Sequence, residues 1–191
     1  MSHSINIDLL EQIGACRPHC IKLREIFPNG VVAFDAEHFP ELQDKKVQVF
    51  WGTALLSREQ QIALALSWYD RALTAQTPTW KTALRTLIQT PELSAAALQL
   101  SARLIERRAV AATDVAATAT AGVGYAAAAF AGKFAETVPD MERLLAAVMV
   151  LAQWCAQAAS VAESKTMDEV LDEFRSDVWT ALEKHGPTLP A

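Results

Sequence analysis

The stretch of the chain best equipped for chemistry is CRPHC at residues 16–20, where two thiols and an imidazole fall within about one helical turn. Thiolates and imidazoles bind zinc, but a structural zinc takes four ligands, usually from two separated pairs. The distant candidates are Cys155, inside an apolar segment, and His38. We therefore predict no metal and no cofactor. The side chains nearest to a metal motif are Cys16, His19 and Cys20.

The same stretch is the best candidate for catalysis. A cysteine nucleophile needs a base within hydrogen-bond distance and a third group that orients the base. His19 or His38 could act on Cys20, but their spacing does not require it, and Cys155 lies on an apolar stripe where burial makes a thiol inert. The glycines at 122–124 lack the following lysine and the preceding strand of a phosphate loop. We predict no catalytic residues, and a small enzyme or cofactor-binding bundle that uses the CRPHC stretch is the alternative.

Helices must position these groups, and two apolar segments form the centre of the predicted helical bundle. Residues 109–132 are rich in alanine, and residues 139–163 carry apolar side chains at spacings that alternate between three and four. Small side chains let two helices approach closely, so we expect the two segments to pack as a buried central pair. The predicted stripe consists of Leu144, Val148, Leu151, Cys155, Ala158 and Ala162.

Start and stop signals define the other helices. Ser57–Gln60 and Thr166–Glu169 have the spacing of capping boxes. Gly186 and Pro187 end the last helix, because glycine supplies a left-handed residue and proline cannot continue a helix. The side chains expected to face inward from that helix are Met167, Leu171, Phe174, Val178 and Leu182. We predict an all-α fold, an irregular bundle of about six to eight helices around the Ala-rich central pair.

The N-terminal part is less regular. We expect a helix over residues 4–15 capped by Ser4, and a brief extended stretch over 31–34. Residues 47–56 alternate like a strand, but a lone strand would lack a pairing partner, so we favour a helix there. The predicted division of the chain is a short-helix segment at 1–56, the bundle at 57–186 and a frayed tail at 187–191.

Composition limits the partners. The 191 residues include 17 basic and 22 acidic side chains, for a net charge of −5 and an isoelectric point near 5.4. An acidic chain has no general attraction for nucleic acid, and we assign the clustered arginines at 103–108 to a helix C-terminus. Three cysteines and no signal peptide predict a reducing, cytoplasmic location. A membrane-associated helical hairpin is a weaker alternative, because Gln153 and Gln157 interrupt the apolar segment.

Two features indicate a protein partner. The last helix carries a row of acidic residues, which forms either a docking face for a basic partner or a solvated face. Two tryptophans fall beside the predicted stripes, and they mark either an exposed partner or dimer surface or a second packing layer. The predicted partner-binding residues are Trp68, Trp179, Asp168, Glu169, Asp172 and Glu173.

The segment from Leu10 to Leu56 resembles the front of uncharacterised helical proteins of bacteria and prophages. The matching residues are Ile21, Leu23, the run IFPNGVV at 26–32, Trp51, Leu55 and Leu56. Ala33 and Phe34 depart from the pattern, which has threonine after the valines. The Ala-rich remainder is similar to helical proteins carried on mobile elements, including some immunity proteins. The resemblance implies a bacterial or phage setting and transfers no catalytic residue.

Taken together, these features predict a non-catalytic interaction protein. Its most concrete form is an inhibitor or immunity-type protein of mobile-element origin that occludes a protein partner. A homodimer is the alternative use of a surface marked by the surplus tryptophans.

Overall fold

A computed structural model describes residues 3–72 and 141–188 of the chain. This part is mostly helical, with a small two-stranded sheet, and it confirms the predicted helical fold class. The described residues form two compact units: the first unit is 3–61 with 172–188, and the second unit is 62–72 with 141–171. The division at residue 56 that the sequence predicts is a different one and stays a prediction.

Several predicted features lie outside the described residues. They include the Ala-rich segment 109–132, the glycines at 122–124, the arginines at 103–108, the side chain of Leu144 in the predicted stripe, and residues 189–191 of the predicted tail. Of the predicted central pair, the structure therefore describes only the second helix.

The described elements fall in two parts of the chain, 3–72 and 141–188. They are β1 (His3–Asn6), α1 (Ile7–Gln12), α2 (Arg17–Ile26), β2 (Val31–Phe34), α3 (Phe39–Asp44), a 3₁₀ helix (Phe50–Leu55), α4 (Arg58–Ala72), α5 (Met141–Glu163) and α6 (Met167–His185).

The N-terminal strand is the main departure from the predicted fold. β1 pairs with β2 in antiparallel register, with Ile5 opposite Val32, and both of these side chains are buried. The predicted helix over 4–15 is therefore wrong in its first part, because α1 begins only at Ile7. Its N-cap is Asn6, whose Oδ1 accepts the backbone N–H of Asp8 at 2.8 Å. The extended stretch at 31–34 is confirmed, and β1 gives it the partner that it needs.

The 3₁₀ helix fills the centre of the first unit. All six of its residues are buried. The predicted helix over residues 47–56 is confirmed in part, because the helix is of the 3₁₀ type and covers Phe50–Leu55 alone. A Cβ on Gly52 would lie 2.7 Å from Leu182 Cδ1 and 3.1 Å from Val178 Cγ1, so only glycine allows this close an approach to α6. Gln61 fixes the 3₁₀ helix further, because its Nε2 donates to the carbonyl oxygens of Thr53 and Leu56 at 2.8 and 3.0 Å.

Both predicted capping boxes are confirmed. Ser57 N–H donates to Gln60 Oε1 at 2.8 Å, and Gln60 N–H returns a bond to Ser57 Oγ at 3.3 Å. At the start of α6, Thr166 and Glu169 make the equivalent pair of bonds at 2.7 and 3.2 Å. The predicted end of α6 is also confirmed, since the helix stops at His185 and Gly186 has a φ of +74°.

The buried stripes of α5 and α6 follow the predicted spacing, with one wrongly predicted residue in each helix. On α5, the stripe from Val148 to Ala158 is buried, but Ala162 is exposed. On α6, the stripe from Leu171 to Leu182 is buried, but Met167 is 36% exposed. Both errors fall where α5 and α6 meet, because terminal turns project beyond the layer that covers the middle of a helix.

Helix α5 contains a stretch, Leu145–Glu163, that is long and apolar enough to cross a membrane by length and composition alone, with a mean hydropathy of 1.6. Half of that stretch is buried within the protein. Core helices of water-soluble proteins have the same length and composition.

Candidate functional site

The CRPHC stretch lies at the start of α2, where it does not form a ligand cluster. Cys16 is exposed and precedes the helix, whereas Cys20 is buried with its Sγ 3.8 Å from the carbonyl oxygen of Ala15. His19 Nδ1 already accepts the backbone N–H of Gln48 at 3.0 Å. Among residues 3–72 and 141–188, no three His, Cys, Asp or Glu side chains could hold a metal ion together. Cys20 therefore packs in the core, and His19 holds the backbone at Gln48.

The two buried thiols are poor nucleophiles. Burial raises the pKa of the Cys20 thiol, and the carboxylate of Glu11 raises it further. Cys155 is fully buried on α5, and its pKa is raised well above the ordinary value for the same reason. A thiol at neutral pH in such surroundings stays protonated and inert.

A second group of polar side chains joins the end of β2 to α3 and α6. The Asp35 carboxylate lies 2.7 Å from His38 Nδ1 and accepts the His38 backbone N–H at 3.0 Å. Partial burial opposes ionisation of Asp35, but the hydrogen bonds from His38 outweigh it and lower the pKa of the carboxyl. Trp179 Nε1 donates to the Asp35 carbonyl oxygen at 2.5 Å. This arrangement fixes the positions of three elements.

The tryptophans predicted to mark a surface are core residues. Trp68 and Trp179 are each only 2% exposed, so the prediction of an exposed apolar patch at these two positions is wrong. Trp179 packs edge-on against Phe34, with 5.2 Å between the ring centres. A tryptophan beside the main stripe of a helix belongs here to a further packing layer, which was the alternative interpretation of the sequence.

The acidic row on α6 is not one continuous exposed face. Asp168 and Glu169 are exposed, whereas Asp172 and Glu173 are half-buried. Asp172 accepts a hydrogen bond from Nη1 of Arg175, one turn further along the same helix. In the first turn, the Glu169 carboxylate accepts the backbone N–H and the hydroxyl of Thr166 at 2.7 and 2.8 Å. The predicted role of all four residues in partner binding stays a prediction.

The junction of α5 and α6, which we call the α5–α6 corner (residues 161–169), is a tightly fixed turn. Ser164 adopts a left-handed φ of +54°, and Lys165 N–H donates to the Ser160 carbonyl oxygen at 3.1 Å, as in a Schellman motif. The Thr166–Glu169 capping box follows immediately. Val161 and Met167, which are 49% and 36% exposed, lie on either side of this turn. Among the described residues the other large exposed apolar side chain is Ile21, in the first unit.

A forked ion pair joins α4 to the α5–α6 corner. Arg71 Nε and Nη2 lie 2.5 and 2.6 Å from the two carboxylate oxygens of Glu163, and Lys165 Nζ lies 3.2 Å from Oε2. The hydrogen bonds from Arg71 and then Lys165 lower the pKa of Glu163 to about 2. Nothing in the sequence indicates this pair, because its members are 92 positions apart.

No family model, curated protein or solved structure significantly matches this chain. The resemblance of residues 10–56 and of the Ala-rich remainder to proteins of mobile elements therefore stays a prediction. Function has to be inferred from the residues themselves.

Proposed function

We propose that this chain is a non-catalytic, cytoplasmic protein that binds and occludes a protein partner through its α5–α6 corner. Its most concrete form is an inhibitor or immunity-type protein from a bacterial or phage mobile element, as the sequence resemblance implies. The supporting observation is that the fixed turn of the α5–α6 corner carries exposed Val161, Met167 and Asp168.

The physical character of the corner suits a binding surface. A turn that is already ordered loses little conformational entropy when a partner binds. Methionine is enriched at interfaces, where its flexible, polarisable side chain adapts to the opposing surface. A carboxylate beside apolar side chains favours a partner segment in which a lysine or arginine follows an aliphatic residue, because complementary charge speeds association and fixes register.

The alternatives have less support. A cofactor-binding bundle or small enzyme built on residues 16–20 would need groups that converge, but His19 is engaged by Gln48 and Cys20 is buried. A membrane hairpin would place α5 in lipid, but half of its apolar stretch is already covered by protein and its last residue, Glu163, is charged and paired with Arg71.

The test is capture of the partner from the source cell, followed by affinity measurement with variants. We expect the wild-type chain to retain one stoichiometric protein, identified by mass spectrometry. The double variant Met167→Gln with Asp168→Lys should bind that protein at least about ten-fold more weakly, because an apolar contact and a charge contact are lost at the centre of the surface.

Glu59→Lys provides the matched control. Glu59 is an exposed acid in the first turn of α4, as Asp168 is in the first turn of α6, so the two reversals have the same effect on net charge and helix dipole. We expect it to leave binding unchanged. Equal binding by the corner variant, or the absence of a partner together with turnover of a small molecule, would contradict the proposal.

A further inference from the structure

Helix α2 holds the segment between α3 and the 3₁₀ helix, residues 45–49, through two side chains one turn apart. His19 Nδ1 accepts the backbone N–H of Gln48 at 3.0 Å. Lys22 Nζ donates to the carbonyl oxygen of Lys45 at 2.8 Å. The segment contains a left-handed residue, Lys46, with a φ of +50°. The backbone N–H groups of Lys45, Lys46 and Val47 donate to carbonyl oxygens at the end of α3. The N–H of Gln48, just beyond them, is the one that the His19 ring accepts.

The bond from Gln48 defines the protonation state of His19. A ring nitrogen that accepts an N–H carries no proton, so the imidazole is neutral with its proton on Nε2. Burial of the ring lowers the pKa of His19, and the positive charges of Lys22 and Arg175 lower it further. The folded arrangement shown here is thus the arrangement of the neutral ring.

We propose that His19 is a pH-sensitive latch whose neutral imidazole holds the backbone at Gln48 against α2 and whose protonation releases it. A proton on Nδ1 would face the N–H of Gln48, and two donors cannot share a hydrogen bond. The new positive charge would also lie near two existing ones. This device does not depend on the proposed partner.

The charged groups around the latch do not cancel that repulsion. Lys22, on the same helix, is held by the segment that it fastens. Arg175 reaches from α6, where it pairs with Asp172 and lies 5.9 Å from the centre of the Phe50 ring.

Within the segment itself, Lys45 pairs with Glu25 at 2.9 Å, and Lys46 is exposed. The buried side chains of Val47 and Val49, 2% and 1% exposed, resist complete separation. Release is therefore a local opening and not unfolding of the unit.

The test is nuclear magnetic resonance of the full, ¹⁵N-labelled chain between about pH 8 and pH 4. The range extends below the ordinary histidine titration because the pKa of His19 is lowered. The ring signals of His19 report its protonation, and the hydrogen-exchange protection of the Gln48 amide, corrected for intrinsic exchange, reports the latch. We expect that protection to fall on the order of ten-fold as His19 titrates, the effect of losing one partly buried hydrogen bond.

Two variants make the result specific. His19→Asn keeps an acceptor near the position of Nδ1 but does not titrate, so Gln48 protection should be independent of pH. His185→Asn removes an exposed histidine on α6 and should behave like wild type.

Constant Gln48 protection while His19 titrates, or an equal fall in His19→Asn, would overturn the proposal. If His19→Asn does not fold, the wild-type titration decides alone, because the latch requires the same midpoint for the His19 ring and the Gln48 amide.

Discussion

At the scale of single residues, Glu163 links the ionisation of one carboxyl to stability. Its hydrogen bonds with Arg71 hold its pKa at about 2, below the ordinary 4.5. The pair is partly exposed, so solvent screens it, and we expect Glu163→Gln to lower the free energy of unfolding by about 1–2 kcal/mol at neutral pH. Urea unfolding at pH 7 measures the loss.

The sign of the pH dependence follows from the lowered pKa. Between 4.5 and about 2, the unfolded chain binds more protons at this carboxyl than the folded chain, so stability decreases as the pH falls through that range. The difference between wild type and Glu163→Gln should therefore shrink toward pH 2. Glu59→Gln, at an exposed acid, serves as the control. A difference that is constant over this range would show that the carboxylate charge is not what stabilises the pair.

At the scale of elements, the contact between the 3₁₀ helix and α6 depends on the missing side chain of Gly52. A methyl group there would lie 2.7 Å from Leu182 Cδ1, and Leu182 is completely buried, so neither side has room to yield. We expect Gly52→Ala to destabilise the protein by about 1–3 kcal/mol, despite the better helix propensity of alanine. Thermal or urea unfolding measures the effect.

A second substitution separates this clash from a backbone effect. Leu182→Val removes the Cδ atoms, so Gly52→Ala should cost at least about 0.5 kcal/mol less in that background than in wild type. Gly30→Ala is the comparison: its φ is +74° and nothing lies within 4 Å of the added carbon, so only backbone strain acts. If the cost of Gly52→Ala is the same with valine at 182, the two elements are not in the contact described.

The same elements show which parts of the fold the sequence could predict. The capping boxes at Ser57 and Thr166 were predictable because the partners are three residues away and act through the local backbone. β1 was not, because a strand so short is defined by its partner at 31–34 and not by its own residues. The helix within residues 47–56 was hard to predict because the 3₁₀ helix is buried on all sides, and this removes the polar face that identifies a helix.

At the scale of the whole molecule, some features of the candidate sites could be predicted from the sequence and others could not, depending on whether the pattern is local. Burial of Cys155 followed from its place on a helical stripe, which is a local pattern. The Gln48–His19 and Arg71–Glu163 contacts join distant parts of the chain, and residue spacing carries no information about them. Trp68 and Trp179 were misplaced because a stripe describes one packing layer, whereas both side chains fill another.

The net charge of the molecule allows a last prediction about its partners. The excess of five acidic residues opposes binding to a polyanion, and four described cations, Arg24, Lys45, Arg71 and Arg175, are paired with carboxylates. We expect no binding of a fluorescent DNA duplex at about 0.15 M salt, where only charges within about 8 Å act strongly on one another. Fluorescence anisotropy, repeated at low salt, measures it. Binding that weakens steeply with salt and is lost in the double variant Arg107→Ala with Arg108→Ala would contradict this prediction. It would indicate a phosphate-binding patch at the arginines of 103–108, and nucleic acid would then replace a protein as the preferred partner.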